Sequence, residues 1–387
     1  MNADVWVGPC PAATLHRDDT GVTTFSYTAE AISKQGPVVA TTLPVVPEPV
    51  VTPHGALPNF FSNLLPEGRR LSTLKRTVKT SLDDELSLLL AVGTNTIGNV
   101  SIVEPGARPD DSIAQIELDG PLDFSTVLSA AGIADPAALP GAQDKASART
   151  IAAPTRLGST HYILKVSPPE YPGLVENEAA CFELLRTYGK ALPASQVRVL
   201  HDESGRSGLL VTRFDRDNGV RWAVEDGAQL LNIPPSSKYE PPMEDVAAAV
   251  LRVVARPQVA ALRLAHLVAF AWLTGNGDLH AKNVSVINKG RGFELAPIYD
   301  IPSTLPYGDS TLALTVGGVR DNLSPRKFAE FTASLGLSEA ATHKVIADVL
   351  RATEGAAETI ADAAGFDPRR RRDLTRVLAY RRRLWGA

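Results

Sequence analysis

The chain opens on short β-rich runs, Val5-Trp6-Val7 and Thr23-Thr24-Phe25-Ser26-Tyr27, with Asp18-Asp19-Thr20-Gly21 as a turn signal between them. A proline-rich stretch over 37–58 predicts a surface loop. Two helices are expected next. The first places Phe60, Phe61, Leu64 and Leu65 on one face. The second has Ser81 as N-cap, Asp84 in the capping-box position, and then Leu86, Leu88, Leu89 and Leu90, with Gly93 as its stop. Ile97–Val103 predicts a further strand.

Residues 105–136, rich in Asp, Pro, Ala and Ser, break this pattern and predict a linker. The order then becomes loop, strand (Tyr162–Val166), helix (Glu176–Tyr188) and strand (Gly208–Val211). Beyond Phe214 the periodicity is mainly helical. Met243–Ala255 and Pro257–Thr274 predict helices, with Pro257 at a helix start and Gly275 at its end. These shifts divide the chain into 1–105, a linker 106–136, a mixed unit 137–216 and a helical unit 217–387.

Composition adds exclusions. The 387 residues are 44% hydrophobic and 21% charged, with a net charge of −4, as in ordinary soluble globular proteins. Cys10 and Cys181 provide no disulfide framework, and no Cys/His cluster suggests zinc. The longest apolar stretch, Val259–Leu273, is broken by Arg263 and His266 and is shorter than the ~20 residues a bilayer requires. A cytoplasmic protein without membrane contact is expected.

Candidate chemistry concentrates in Gly275-Asn276-Gly277-Asp278-Leu279-His280-Ala281-Lys282-Asn283, between a hydrophobic helix and the strand-like Val284–Ile287. Asn283 follows Asp278 by five positions, and Asp300 follows after a short hairpin. Protein-kinase catalytic loops use this spacing. One carboxylate orients the nucleophile, while an Asn oxygen and a second carboxylate hold Mg²⁺, a hard cation that takes oxygen ligands. Upstream, Lys165 lies in an apolar strand, where a charge requires a partner. Glu178 shares a helix face with Phe182 and Leu185 and is the expected partner, with Glu176 as the alternative. The small-residue loop Pro140-Gly141-Ala142-Gln143-Asp144-Lys145 could bring backbone N–H groups close to phosphate.

Taken in order, these motifs resemble the HipA family of toxin kinases. The resemblance rests on Gly141–Lys145, the Lys165 strand, Val175–Glu178, Val211–Arg216, the Pro-Ser-Ser-Lys-Tyr run before Glu240, Gly277–Asn283 and Tyr299-Asp300. It extends to Asn59-Phe60-Phe61-Ser62-Asn63-Leu64-Leu65-Pro66 and Gly93–Ser101. It implies a protein-kinase-like two-lobed α+β fold with an extra β-rich N-terminal subdomain and a mainly helical C-lobe. It also implies an ATP- and Mg²⁺-dependent serine/threonine kinase of a toxin–antitoxin module. A HipB-like DNA-binding antitoxin would be its partner, and an aminoacyl-tRNA synthetase a candidate substrate. Carried over by position, Pro140–Lys145 form the phosphate loop and Lys165 contacts the ATP phosphates. Thr212, Arg213 and Phe214 form the hinge beside adenine, Asp278 is catalytic, and residues 230–241 are the activation segment. His280, Lys282, Asn283, Tyr299 and Asp300 line the nucleotide site, with Asn283 and Asp300 on the metal. Ala137-Ala138-Leu139-Pro140 lacks the serine through which some relatives are silenced by phosphorylation. The rival readings are a small-molecule, antibiotic-type phosphotransferase and a non-catalytic component of a repressor–DNA complex.

The C-terminus is strongly basic. Eight arginines stand against Asp367 and Asp373 over 366–387, and Leu374, Val377, Leu378 and Leu384 recur at helical spacing. This predicts an amphipathic helix in which Arg381, Arg382 and Arg383 are candidates for contact with operator DNA through an antitoxin complex.

Overall fold

The computed structural model describes residues 1–81, 83–93, 96–110, 122–130 and 150–386. The N-terminal subdomain is a five-stranded antiparallel sheet, ordered Val50–Thr52, Thr23–Tyr27, Cys10–Arg17, Asn2–Val7, Val100–Val103. Period-2 patterning sets its inner face: Ala3, Val5, Leu15, Phe25 and Tyr27 are buried. Phe60, Phe61, Leu86 and Leu89 pack against that face.

Several local expectations change here. Phe60 and Phe61 belong to a four-residue helix, Asn59–Ser62. An amphipathic helix, Gly68–Val78, follows, in a stretch whose basic residues mask its periodicity. The helix Glu85–Val92 is capped by Asp84, whose carboxylate accepts from the Ser87 N–H. Ser81 instead accepts from the Asp83 N–H, one turn too early to be the cap.

The next unit is a four-stranded antiparallel sheet, ordered Ile151–Leu157, Thr160–Val166, Ser207–Thr212, Val197–His201. One face holds Leu164, Val166 and Leu210 against Phe124 and Leu128 of the helix Phe124–Ala130. The segment read as linker therefore supplies a packing element of the sheet. The other face receives the helix Leu174–Arg186, through Val175, Phe182 and Leu185.

The third unit is helical around Pro257–Thr274. Thirteen of its eighteen residues are buried, which makes it the central post of the lobe. Pro257 sits at its start, and Gly275 ends it with a left-handed φ of 74°. A three-stranded sheet pairs the strand Ala223–Asp226, which precedes the post, with the strands Ser285–Asn288 and Phe293–Leu295, which follow its loop. The helices Met243–Val253, Pro325–Ser334, Glu339–Ala352, Ala356–Ala363 and Pro368–Gly386 complete the lobe. No helix among the described residues is long and apolar enough to cross a membrane.

Candidate active site

The post ends beside a cleft, and the turn at Gly275 aims the following loop into it. Gly277 admits no side chain: a Cβ would lie 2.5 Å from the Thr311 carbonyl oxygen and 2.6 Å from Thr304 Oγ1. The Gly277 N–H donates to Thr304 Oγ1 at 2.8 Å, and the Asp278 N–H donates to Asn276 Oδ1 at 2.8 Å. Asn283 Nδ2 donates to the Asp278 carbonyl at 2.8 Å. Spacing of five thus closes a short loop, with the two side chains at its ends lining one cavity of ≈ 320 Å³.

Lys165 comes from the four-stranded sheet. Its Nζ lies 2.6 Å from Glu178 Oε1 and 2.8 Å from Asp300 Oδ1. Burial works against the ammonium charge, but Asp300 and Glu178 outweigh it and hold the Lys165 pKa above its ordinary value. Glu176 makes no such contact, and its Oε2 is buried without a hydrogen bond. Asp300 also lines the cavity, as do His280, Lys282 and Tyr299. A recess of ≈ 120 Å³ extends from there, walled by Val211, Thr212, Phe214 and Tyr299. Arg213 lines the recess by position, yet its guanidinium is turned away, onto Asp215 and the Thr96 carbonyl. Pro140–Lys145 lie outside the described residues.

Among the described residues, Tyr239 and His280 reach the Asp278 carboxylate. The Tyr239 hydroxyl donates to Oδ1 at 2.7 Å, and His280 Nε2 stands 4.0 Å from Oδ2. Burial, then the positive charge of Lys238, lowers His280 to about 3, so its imidazole is neutral at physiological pH. Burial and the Asp278 charge push the Tyr239 phenol above its ordinary value. The rings of Tyr239 and His280 meet edge-on at 4.9 Å.

The N-terminal subdomain forms one wall of the cavity. Glu67 pairs with Lys238 and lies 3.9 Å from Lys282. Lys282 also contacts Asp226 at 2.9 Å and donates to the Asn63 carbonyl at 2.8 Å. Lys282 is thus tied to two carboxylates and to the subdomain wall. Tyr239, Glu67 and Asp226 escaped the sequence reading. Glu67 directly follows the Asn59–Pro66 signature and Tyr239 lies inside the expected activation segment, so proximity to those motifs was the only available signal.

The C-terminal arginines need correction. Arg381 is buried, donates to the carbonyls of Trp272 (2.7 Å) and Ser310, and stacks 3.7 Å from the Trp272 ring centroid. Arg382 donates to Leu350 O at 2.8 Å and Thr353 Oγ1 at 3.0 Å. Arg381 is thus a packing residue of the last helix and not a DNA contact, while the half-buried Arg382 has one guanidinium nitrogen committed within the lobe. Of the three, only Arg383 is exposed.

The expected metal donors are hard oxygens: the Asp300 carboxylate and the Asn283 amide oxygen, both lining the cavity. Asp300 uses Oδ1 for Lys165, and Asn283 uses its NH₂ for the loop, which leaves oxygens toward the cavity. Such a set fits a small divalent cation of the Mg²⁺ type.

A strand lysine bridging a helix glutamate and a post-loop aspartate, beside an Asp-x4-Asn loop, defines a kinase-like two-lobed α+β fold. The family model of the HipA N-terminal domain matches residues 3–103, and that of the HipA-like C-terminal domain matches 137–357. The chain belongs to the HipA family. It is 31% identical over 373 residues to Y4dM of Sinorhizobium fredii, named as a kinase, covering 89% of this chain and 87% of that one. It is 29% identical over 320 residues to the serine/threonine-protein kinase toxin HipA of Shewanella oneidensis, covering 72% and 71%. The fold also matches the HipA chain type solved with HipB and operator DNA from Shewanella oneidensis MR-1, with a TM-score of 0.77 at 22% identity over 99% of this chain and 97% of that one.

Proposed function

We propose that the chain is an ATP- and Mg²⁺-dependent serine/threonine protein kinase, the toxin component of a HipBA-like module. The observation that carries this reading is the double contact of Lys165 with Glu178 and Asp300, in the cavity that also holds Asp278 and Asn283. In this mechanism Thr212 and Phe214 receive the adenine in the apolar recess. Lys165, held by Glu178, places its charge against the nucleotide phosphates. Asn283 and Asp300 would hold Mg²⁺, which supplies charge neutralisation at the phosphates when bound. Asp278 accepts the proton of the incoming serine or threonine hydroxyl as its oxygen bonds to the γ-phosphorus and ADP departs.

The HipA toxin kinase and the HipA, HipB and operator DNA complex of Shewanella oneidensis support the toxin–antitoxin setting. A HipB-like DNA-binding antitoxin is the proposed partner, with co-repression at an operator through that complex. An aminoacyl-tRNA synthetase is the proposed protein substrate. Labelled ATP, Mg²⁺ and a cell lysate test the activity. Label on serine or threonine of a lysate protein is expected with the native chain and not with Asp278→Asn, while nucleotide binding survives in the variant. Near-native transfer by Asp278→Asn overturns the assignment, and labelling of an aminoglycoside but no protein overturns the substrate class.

A further inference from the structure

The cavity wall supplied by the N-terminal subdomain carries a cation that the proposed chemistry leaves unused. Arg70 lies in the first turn of the helix Gly68–Val78, half-buried, and lines the cavity beside Glu67. The neighbouring charges are matched. Glu67 meets Lys238 and Lys282, Asp226 meets Lys282, and Asp300 meets Lys165. Among the described residues Arg70 has no carboxylate and no hydrogen-bond acceptor. Burial, then the positive charge of Arg213, lowers it to about 10, and no anion opposes them. Its five N–H donors, partly withdrawn from water, find no protein acceptor among the described residues. The helix adds a cost: a cation in the first turn meets the positive end of the dipole, and that turn holds no acidic residue. An anion in the cavity relieves all of these at once.

Position selects the anion. The helix packs against the strand Ile151–Leu157, and Arg70 shares the cavity wall with Thr150, Ile151 and Ala152. Ala152 is the register partner of Lys165. Arg70 therefore sits at the end of the sheet where Lys165 meets Asp300, and it takes no part in the apolar recess.

We infer that Arg70 is a ligand of the nucleotide polyphosphate, contributed across the subdomain boundary. The inference rests on the kinase reading of the cavity. A planar guanidinium can offer paired N–H groups to phosphoryl oxygens, and such charge-assisted bonds are the strong ones. The N-terminal subdomain then completes the nucleotide site rather than only resting on it.

Calorimetry on the full chain tests this with ATP, adenosine and inorganic tripolyphosphate. Arg70→Gln should weaken ATP and tripolyphosphate by about ten- to hundredfold and leave adenosine unchanged. Arg70→Lys should fall between them, because it keeps the charge and loses the fork. Melting curves of both variants check folding. Native-like ATP and tripolyphosphate affinity in Arg70→Gln overturns the inference and leaves the kinase reading standing. An equal loss for adenosine and ATP also overturns it, because the residue is then structural. Arg70-dependent tripolyphosphate binding without any binding of ATP or adenosine supports the anion site and removes the nucleotide reading. A native chain that binds none of the three overturns both.

Discussion

The Tyr239 hydroxyl donates to Asp278 Oδ1 at 2.7 Å, so a residue of the proposed activation segment occupies a lone pair of the proposed catalytic carboxylate. An acceptor serine would need that same carboxylate. The Tyr239 backbone is in turn held by Arg320, whose guanidinium donates to its carbonyl at 2.6 Å. Tyr239→Phe keeps the ring packing on His280 and removes the competing donor. The expected outcome is a rise in kcat/KM for the protein acceptor of about ten- to hundredfold, since a hydrogen bond to a charged group is worth ~1.5–3 kcal/mol. ATP affinity should not change. Steady-state kinetics with varied acceptor checks both; a fall in turnover would mean that the phenol orients Asp278 rather than competing for it.

Asp300→Ala removes one of the two proposed metal oxygens but leaves Lys165 paired with Glu178 at 2.6 Å. The fold should survive, and ATP affinity should become the same with Mg²⁺ as with EDTA. Calorimetry in the two buffers decides it. A variant that keeps its Mg²⁺ dependence would remove Asp300 from the metal site.

Glu225 joins the helical lobe to the N-terminal subdomain. It is buried and accepts from the Thr41 N–H at 2.9 Å and Thr41 Oγ1 at 2.8 Å. Burial raises its carboxyl to about 7, with the Thr41 bonds opposing and the Asp226 charge adding to the rise. The folded state thus keeps a proton that the unfolded chain releases above about 4.5. Its contribution is fully present at low pH and is lost as pH rises through about 7, with a slope of up to ~1.4 kcal/mol per pH unit. Glu225→Gln should flatten that part of the stability profile. Melting between pH 5 and pH 8 measures it, and parallel profiles for the two proteins would exclude Glu225 as the group responsible.

Arg381→Gln should cost about 2–4 kcal/mol, because two buried carbonyls lose a charged donor and Trp272 loses a stacked guanidinium. Arg383→Gln, on the exposed side of the same helix, should change stability by less than ~0.5 kcal/mol. Denaturant titration of the pair checks the contrast.

The contrast between Arg381 and Arg383 also shows where the sequence was legible. The post Pro257–Thr274 was readable at both ends, because a first-turn proline and a left-handed glycine are local devices. The Asp278–Asn283 spacing was readable because the loop closes on itself. Glu178 was readable because a charge on an apolar face demands a partner. The fate of each arginine was not, since the last helix carries basic residues on every side. Which of them is buried depends on where Trp272 and Ser310 end, more than 70 residues away in the chain. Glu67 was hidden for the same reason: Lys238 and Lys282 reach it only after two subdomains meet.

Near the proposed hinge, Arg213 and Arg216 both pair with the buried Asp215 carboxylate, and Arg221 stands close by. The N-terminal subdomain supplies further acceptors: Arg213 and Arg216 both donate to the Thr96 carbonyl, and Arg216 and Arg221 to that of Gly98. Asp215 in return accepts from the Gly98 N–H at 2.8 Å. A loop from one subdomain is thus wedged into the joint between the two lobes, like a strut set across a door hinge. Removing the N-terminal matched segment would strip that joint of the Thr96 and Gly98 carbonyls and cost the buried Arg213 an acceptor, by about 1.5–3 kcal/mol. The kinase unit is therefore not a free-standing cassette. Any swing of its lobes must carry the N-terminal sheet along or tear those carbonyls away.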